Sequence, residues 1–370
     1  MAATEPKLFT PIQVGDVTLQ HRVVLAPLTR FRASKAHVHK PIAVEYYKQR
    51  ASVPGTMLIT EASYIAAKAG GYANVPGIYN DEQIAAWKEI VDAVHAKGSF
   101  IYLQLWALGR AAMPEQLELE GSFPYVSASD VLLEGRDVAP RALTTDEIKE
   151  YVQFYATAAS NAVHRAGFDG VEIHGANGYL VDQFLQDVTN KRTDAYGGSI
   201  ENRTRFALEV IDAVAAKVGA EKTGIRLSPW GSYNGMRMQD PIPTFRYLVQ
   251  QITERQPKLA FIHVVEPRVN GAVDREVQEG ESNDSLREVW GSRPFISAGG
   301  YNREHALKIA EEKGDLIAFG RDYIPNPDLP LRLKKNLPLT KYDRQTFYEA
   351  EAEKGYSDYP FAPENVAELA

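Results

Sequence analysis

Eight short, nearly continuous apolar runs punctuate the chain, over residues 23–26, 56–60, 100–105, 170–173, 223–227, 261–265, 294–297 and 316–319. Each is too short for a buried helix and too apolar for a sheet with one wet face. That pattern predicts parallel strands covered on both sides. The segments between them repeat at helical spacing. Ile84, Trp87, Val91, Val94 and His95 share one face behind Asn80 or Asp81 as a cap. Thr144 to Glu147 spell a capping box ahead of Ile148, Val152, Tyr155, Ala159 and Val163. Phe206, Val210, Val214 and Val218 step by four along another helix, and Ala306, Ile309 and Ala310 mark a later one. Before the first strand, residues 8–14 and 17–19 flank Gly15-Asp16 and read as a small hairpin.

Eight strands alternating with helices predict an α/β fold, specifically a closed (β/α)8 TIM barrel. An open doubly wound sheet is the weaker choice, because no G-x-G-x-x-G opens a helix after the first strand. A barrel uses about 250 residues, and this chain has 370. The excess is expected in a long loop over 107–143, after the third strand, and in an aromatic C-terminal arm over 337–370. No linker interrupts the pattern, so 1–370 reads as one domain with its barrel core over roughly 22–336.

Composition narrows the chemistry. The net charge of −7 is spread along the chain and argues against a nucleic-acid partner. With no cysteine, disulfides, thiolate zinc sites, Fe–S clusters and cysteine nucleophiles are excluded. The eight histidines lack His-x-His or His-Glu-x-x-His spacing, so no metal is expected. No apolar run reaches membrane-spanning length, and residues 1–7 lack the regions of a signal peptide. A cytoplasmic location without a membrane partner follows, and a monomer and a homodimer both fit the sequence.

Barrel active sites gather at the C-terminal ends of the strands. Those ends carry Pro27-Leu28-Thr29, Glu61-Ala62, Gln104-Leu105-Trp106, His174 through Tyr179, Arg226, Glu266, Gly299-Gly300 and Gly320-Arg321. The last two pairs follow strands seven and eight, where backbone N–H groups and a guanidinium suit a phosphate. Thr29, Gln104 and Arg226 offer a hydroxyl, an amide and a cation, which match the mixed donor and acceptor edge of a flavin. Plainer explanations stand beside these. Gln104 also reads as a buried amide bonded to its neighbours, and Arg226 as a buried partner of Glu172, a reading compatible with the flavin one. His174 could be a surface histidine, Asn177 a turn residue and Tyr179 a packing aromatic. Together after strand four, His174, Asn177 and Tyr179 instead suggest groups that hold an oxygen and deliver a proton.

Several motifs in this order resemble the Old Yellow Enzyme family of FMN-dependent ene-reductases over nearly the whole chain. They are Ala26-Pro27-Leu28-Thr29-Arg30, Ile59-Thr60-Glu61, Gln104-Leu105-Trp106, His174-Gly175-Ala176-Asn177-Gly178-Tyr179-Leu180, the run from Gly197 to Arg203, Arg226-Leu227-Ser228-Pro229, Ala298-Gly299-Gly300 and Phe319-Gly320-Arg321. Asn177 resembles the yeast and fungal members, and the stretch from Glu45 to Thr56 resembles filamentous-fungal members, including chanoclavine-aldehyde reductases.

The resemblance implies that Pro27, Leu28, Thr29, Ala62, Gln104, His174 and Arg226 contact the flavin ring of FMN, and that Gly299, Gly300, Gly320 and Arg321 hold its phosphate. It implies NADPH as reductant and an activated alkene as substrate, oriented by His174 and Asn177 and protonated by Tyr179. Trp106, Phe347 and Tyr348 would line the substrate pocket. A specialised reductase of the chanoclavine-aldehyde type is the alternative within the family. Outside it stand a barrel glycosidase using Glu61 and Glu266, and a flavin carrier without catalysis.

Overall fold

The computed structural model describes residues 5–271 and 273–369; the tail 1–4, read above as lacking a leader, and residues 272 and 370 lie outside them. Eight parallel strands run β1 (Val23–Leu25), β2 (Met57–Ile59), β3 (Phe100–Trp106), β4 (Gly170–Gly175), β5 (Thr223–Leu227), β6 (Phe261–Val265), β7 (Phe295–Ala298) and β8 (Leu316–Phe319). Each pairs with the next, and β8 returns to β1, which closes the barrel. The helices that follow them are α1 (Pro41–Arg50), α2 (Asp81–His95), α3 (Thr145–Ser160), α4 (Ile200–Val218), α5 (Ile242–Arg255), α6 (Asp284–Trp290), α7 (Arg303–Lys313) and α8 (Leu329–Lys335). Their apolar stripes pack on the outward residues of the strands in one continuous core.

The helix starts follow their sequence signals. Asn80 caps α2 in a box with Gln83, and Thr144 caps α3 in a box with Glu147. His95 departs from the expected face and turns outward to Asp169 at 2.9 Å. The expected loop over 107–143 holds a helix, Pro114–Gly121, and a short parallel pair, Val126–Ser127 with Arg141–Ala142. Strand β4 runs two residues past the expected end, so His174 is a strand residue that faces inward.

Alternation along the strands sorts the barrel interior into layers. At the bottom, the rings of Tyr102 and Phe261 meet edge to face, 5.7 Å apart. They occupy the space that a Cβ at Gly170 or Gly224 would fill. Val14, Val17 and Leu19 of the N-terminal hairpin join the same apolar cluster and plug the barrel from below. One pleat higher lie Gln104, Glu172, Arg226 and His263, and above them Trp106 and His174 reach the mouth.

The C-terminal arm crosses the mouth because three buried arginines hold its backbone. Arg30 donates to the carbonyls of Phe347 and Gly355, and Arg50 to that of Tyr356. Arg32 donates to those of Thr346, Phe347, Ala352 and Lys354. Tyr46 stacks on Tyr356 with ring centroids 4.1 Å apart, beneath the Arg50 guanidinium. A carbonyl left unpaired in such a place loses about 1–3 kcal/mol, so without its clamp the arm gains by peeling into water. Arg32→Met keeps the apolar stem and removes the donors. Limited proteolysis of this variant should cut within 337–369 much faster than in the parent while the barrel stays intact. Equal cleavage rates would show that the clamp does not hold the arm.

Candidate active site

A cavity of about 450 Å³ opens at the C-terminal ends of the strands. Pro27, Leu28, Thr29, Trp106, Asn177, Tyr179, Arg226, Gly299, Gly300, Gly320, Arg321, Phe347 and Tyr348 all line it. Ala62, Gln104 and His174 are buried rather than part of that lining. The structure thus gathers residues from six strand ends and the C-terminal arm.

The turn from His174 to Tyr179 is held by its own backbone. Ala176 N–H donates to His174 Nδ1 at 3.3 Å, Asn177 N–H to Ser228 Oγ at 2.7 Å, and Gly178 N–H to Asp182 Oδ2 at 2.8 Å. Asn177 sits in the left-handed region at φ 56°, so the turn-residue reading is correct as well. Its carbonyl accepts from Asn234 Nδ2 at 3.0 Å, while its side-chain amide has no hydrogen-bond partner among the described residues. Gly178, at φ 73°, has no room for a side chain, since a Cβ would lie 2.6 Å from that of Asn234.

These bonds and the surrounding burial fix the state of the imidazole and the phenol. Because Nδ1 of His174 accepts a backbone N–H, the ring proton is assigned to Nε2, which makes that atom a donor. Burial, helped by Arg226, lowers the His174 pKa well below the usual histidine range, so the ring is neutral. The Tyr179 ring packs edge-on against Trp106 and His174, with centroids 4.7 and 4.9 Å away. Burial raises its pKa well above the usual phenol value, which keeps the proton on its oxygen.

Beneath the mouth, Gln104 Nε2 donates to Glu172 Oε1 at 2.7 Å. A carboxylate offers no donor, so the amide is fixed with Oε1 pointing the other way. The other oxygen of Glu172 takes His263 Nδ1 at 2.7 Å. The simple Arg226–Glu172 pair is therefore absent: Arg226 has no ion pair among the described residues, and its Nε is buried without a hydrogen-bond partner. Burial lowers the Arg226 pKa, and the nearby Glu172 offsets part of that effect. An orphaned guanidinium N–H below a cavity fits an acceptor on a bound group.

At the ends of β7 and β8, Gly299 and Gly300 adopt φ 128° and 60°. Arg321 is not free there but is engaged by Asp274. Arg268, which the sequence pattern does not single out, lies over the Tyr301 ring with Nε and Nη2 buried and unpartnered. Its Nε would stand 3.6 Å from a Cβ at Gly300. Phe31, Tyr72 and Tyr233 are further lining residues that the sequence pattern leaves unmarked. Phe31 and Tyr72 sit in loops and Tyr233 in a single 3-10 turn, where neither a strand nor a helix period reveals direction.

The carboxyl pair of a glycosidase does not form. Glu61 is buried beside His39 and the Arg30 N–H, and Glu266 is held by Arg287 and Ser297. Neither lines the cavity.

Comparison with known proteins agrees with this architecture. A family model described as NADH:flavin oxidoreductase / NADH oxidase matches residues 7–340. The chain is 53% identical to "Chanoclavine-I aldehyde reductase fgaOx3" of Penicillium roqueforti, over 97% of each chain. It is 51% identical to "NADP-dependent oxidoreductase lnbE" of Aspergillus flavus, again over 97% of each. Among solved structures, the Old Yellow Enzyme from Pichia sp. AKU4542 superposes with a TM-score of 0.88 at 39% identity, covering 97% of this chain and 94% of that one. The chain belongs to the Old Yellow Enzyme family of flavin oxidoreductases.

Proposed function

We propose that this protein is an FMN-dependent ene-reductase that uses NADPH to reduce the activated C=C bond of α,β-unsaturated aldehydes, ketones or nitroalkenes. One observation carries the reading. The turn after Ile173 brings together a neutral His174 with a proton on Nε2, an uncommitted Asn177 amide and a protonated Tyr179, at a cavity that also holds Arg226 and two glycine-rich strand ends. Because one cavity serves reductant and substrate in turn, the kinetics are ping-pong. A cytoplasmic monomer or homodimer with small-molecule partners completes the proposal.

Bound FMN would supply hydride-transfer chemistry between reduced nicotinamide and the alkene Cβ. Pro27, Leu28, Thr29, Ala62, Gln104, His174 and Arg226 hold its ring, with Arg226 set against negative charge. Gly299, Gly300, Gly320 and Arg321 hold its phosphate, and the unpartnered nitrogens of Arg268 add a second cation there. His174 and Asn177 hydrogen-bond the substrate oxygen and stabilise the charge that develops on it; losing one such donor typically slows a reaction about 10²–10³-fold. Tyr179 gives its proton to Cα. A buried phenol that resists ionisation yields its proton only to a strongly basic centre, and the carbon of an enolate is one. Trp106, Phe347 and Tyr348 enclose the rest of the substrate.

A second reading narrows the substrate to aldehydes of specialised metabolism. Fungal relatives named as aldehyde reductases favour it.

Two tests follow. Tyr179→Phe should leave bleaching of the flavin by NADPH unchanged in anaerobic stopped-flow, while reoxidation by an enone slows by about 10²–10⁴-fold. Equal reoxidation rates would remove Tyr179 from the proton step. For the phosphate site, the informative quantity is the affinity ratio of FMN to riboflavin, which lacks the phosphate. Arg321→Ala and Arg268→Gln should each reduce that ratio by at least about tenfold, as expected for a charged hydrogen bond of about 1.5–3 kcal/mol. A ratio that does not move would place the phosphate elsewhere.

A further inference from the structure

Glu172 has no exposed surface and touches nothing in the cavity, yet the polar layer under the mouth converges on it. Gln104 lies directly opposite it across β3 and β4, and Gly224 opposite it across β4 and β5. Arg226, one pleat above Gly224, pairs in register with both His174 and His263. The two oxygens of Glu172 are taken by Gln104 and His263, at 2.7 Å each.

Burying a carboxylate is costly unless donors replace the water it loses, and Gln104 and His263 do so here. Its neighbour His263 is driven toward the neutral form by burial. His174 above it is neutral as well. The charged groups in this layer are the Glu172 carboxylate and the Arg226 guanidinium, which stands one pleat above the residue opposite Glu172, and the carboxylate favours the charged form of Arg226. They form no ion pair, so the Arg226 guanidinium remains available to the mouth while its charge is offset from below.

We propose that Glu172 is a positioning residue that sets the reduction potential of the flavin by offsetting the charge of Arg226. This rests on the FMN reading above. Without Glu172, the cation next to the ring acts undiminished and favours the electron-rich form of the cofactor. With it, the flavin is held at a lower potential and gives up its electrons to an alkene more readily.

The test is the midpoint potential of FMN in the holoenzyme, read by equilibration against a reference dye. Glu172→Gln keeps the shape and removes the charge. It should move the equilibrium toward reduced flavin about tenfold or more, which is about 30 mV upward for a two-electron couple. Glu172→Asp keeps the charge and should stay near the parent value. His263→Leu removes one of the two donors that hold the carboxylate in place, so a smaller upward shift is expected. An unchanged or lowered potential in Glu172→Gln overturns the proposal, as does an equal rise in Glu172→Asp. Loss of FMN from both Glu172→Gln and His263→Leu also overturns it, by assigning the layer a packing role only. A parent protein that takes up no FMN would instead defeat the functional reading on which the proposal stands.

Discussion

A carboxylate sealed inside a barrel must be answered on both oxygens, and in this molecule Glu172 imposes that demand on its surroundings. Gln104 is oriented by it, His263 is spent on it, and Arg226 is left with an unpartnered N–H below the mouth. The layer beneath serves the same end. Tyr102 and Phe261 fill the lower barrel over Gly170 and Gly224, so the polar layer rests on a packed apolar floor. Removing a partner from such a layer leaves a buried polar group exposed to nothing, which is the costly case.

The mouth depends on the same economy of backbone groups. The turn from Ala176 to Gly178 spends its N–H donors on His174, Ser228 and Asp182, and those bonds leave the Asn177 amide and Nε2 of His174 uncommitted. Across the mouth, Arg30, Arg32 and Arg50 capture carbonyls of the C-terminal arm, which seats Phe347 and Tyr348 at the cavity. Residues far apart in the chain thus share one wall because buried cations and buried carbonyls need each other.

Much of this was legible in the sequence for a simple reason. Parallel strands buried on both faces write themselves as apolar runs, and capping boxes mark helix starts by side-chain chemistry alone. Strand ends then placed Thr29, Trp106, Asn177, Tyr179 and Arg226 at one mouth. What failed concerned lateral choice. Nothing in one strand says which inward neighbour a carboxylate will take, so Glu172 was read against Arg226 rather than Gln104 and His263. His95 fits the spacing of its helix face, but Asp169 offers it a charged partner outside the core. The helix Pro114–Gly121 buries little beyond Leu117 and so carries a faint stripe. Phe31, Tyr72, Tyr233 and Arg268 lie in irregular segments, where direction comes from contacts rather than period.

The central claim is that this site delivers hydride to Cβ and a proton to Cα of an activated alkene, and leaves the carbonyl intact. The most direct measurement is reduction of an enal in deuterated water with unlabelled NADPH, followed by mass and NMR analysis of the product. The expected product is a saturated aldehyde carrying solvent deuterium at Cα. An allylic alcohol, or a saturated aldehyde without solvent deuterium at Cα, would contradict the account.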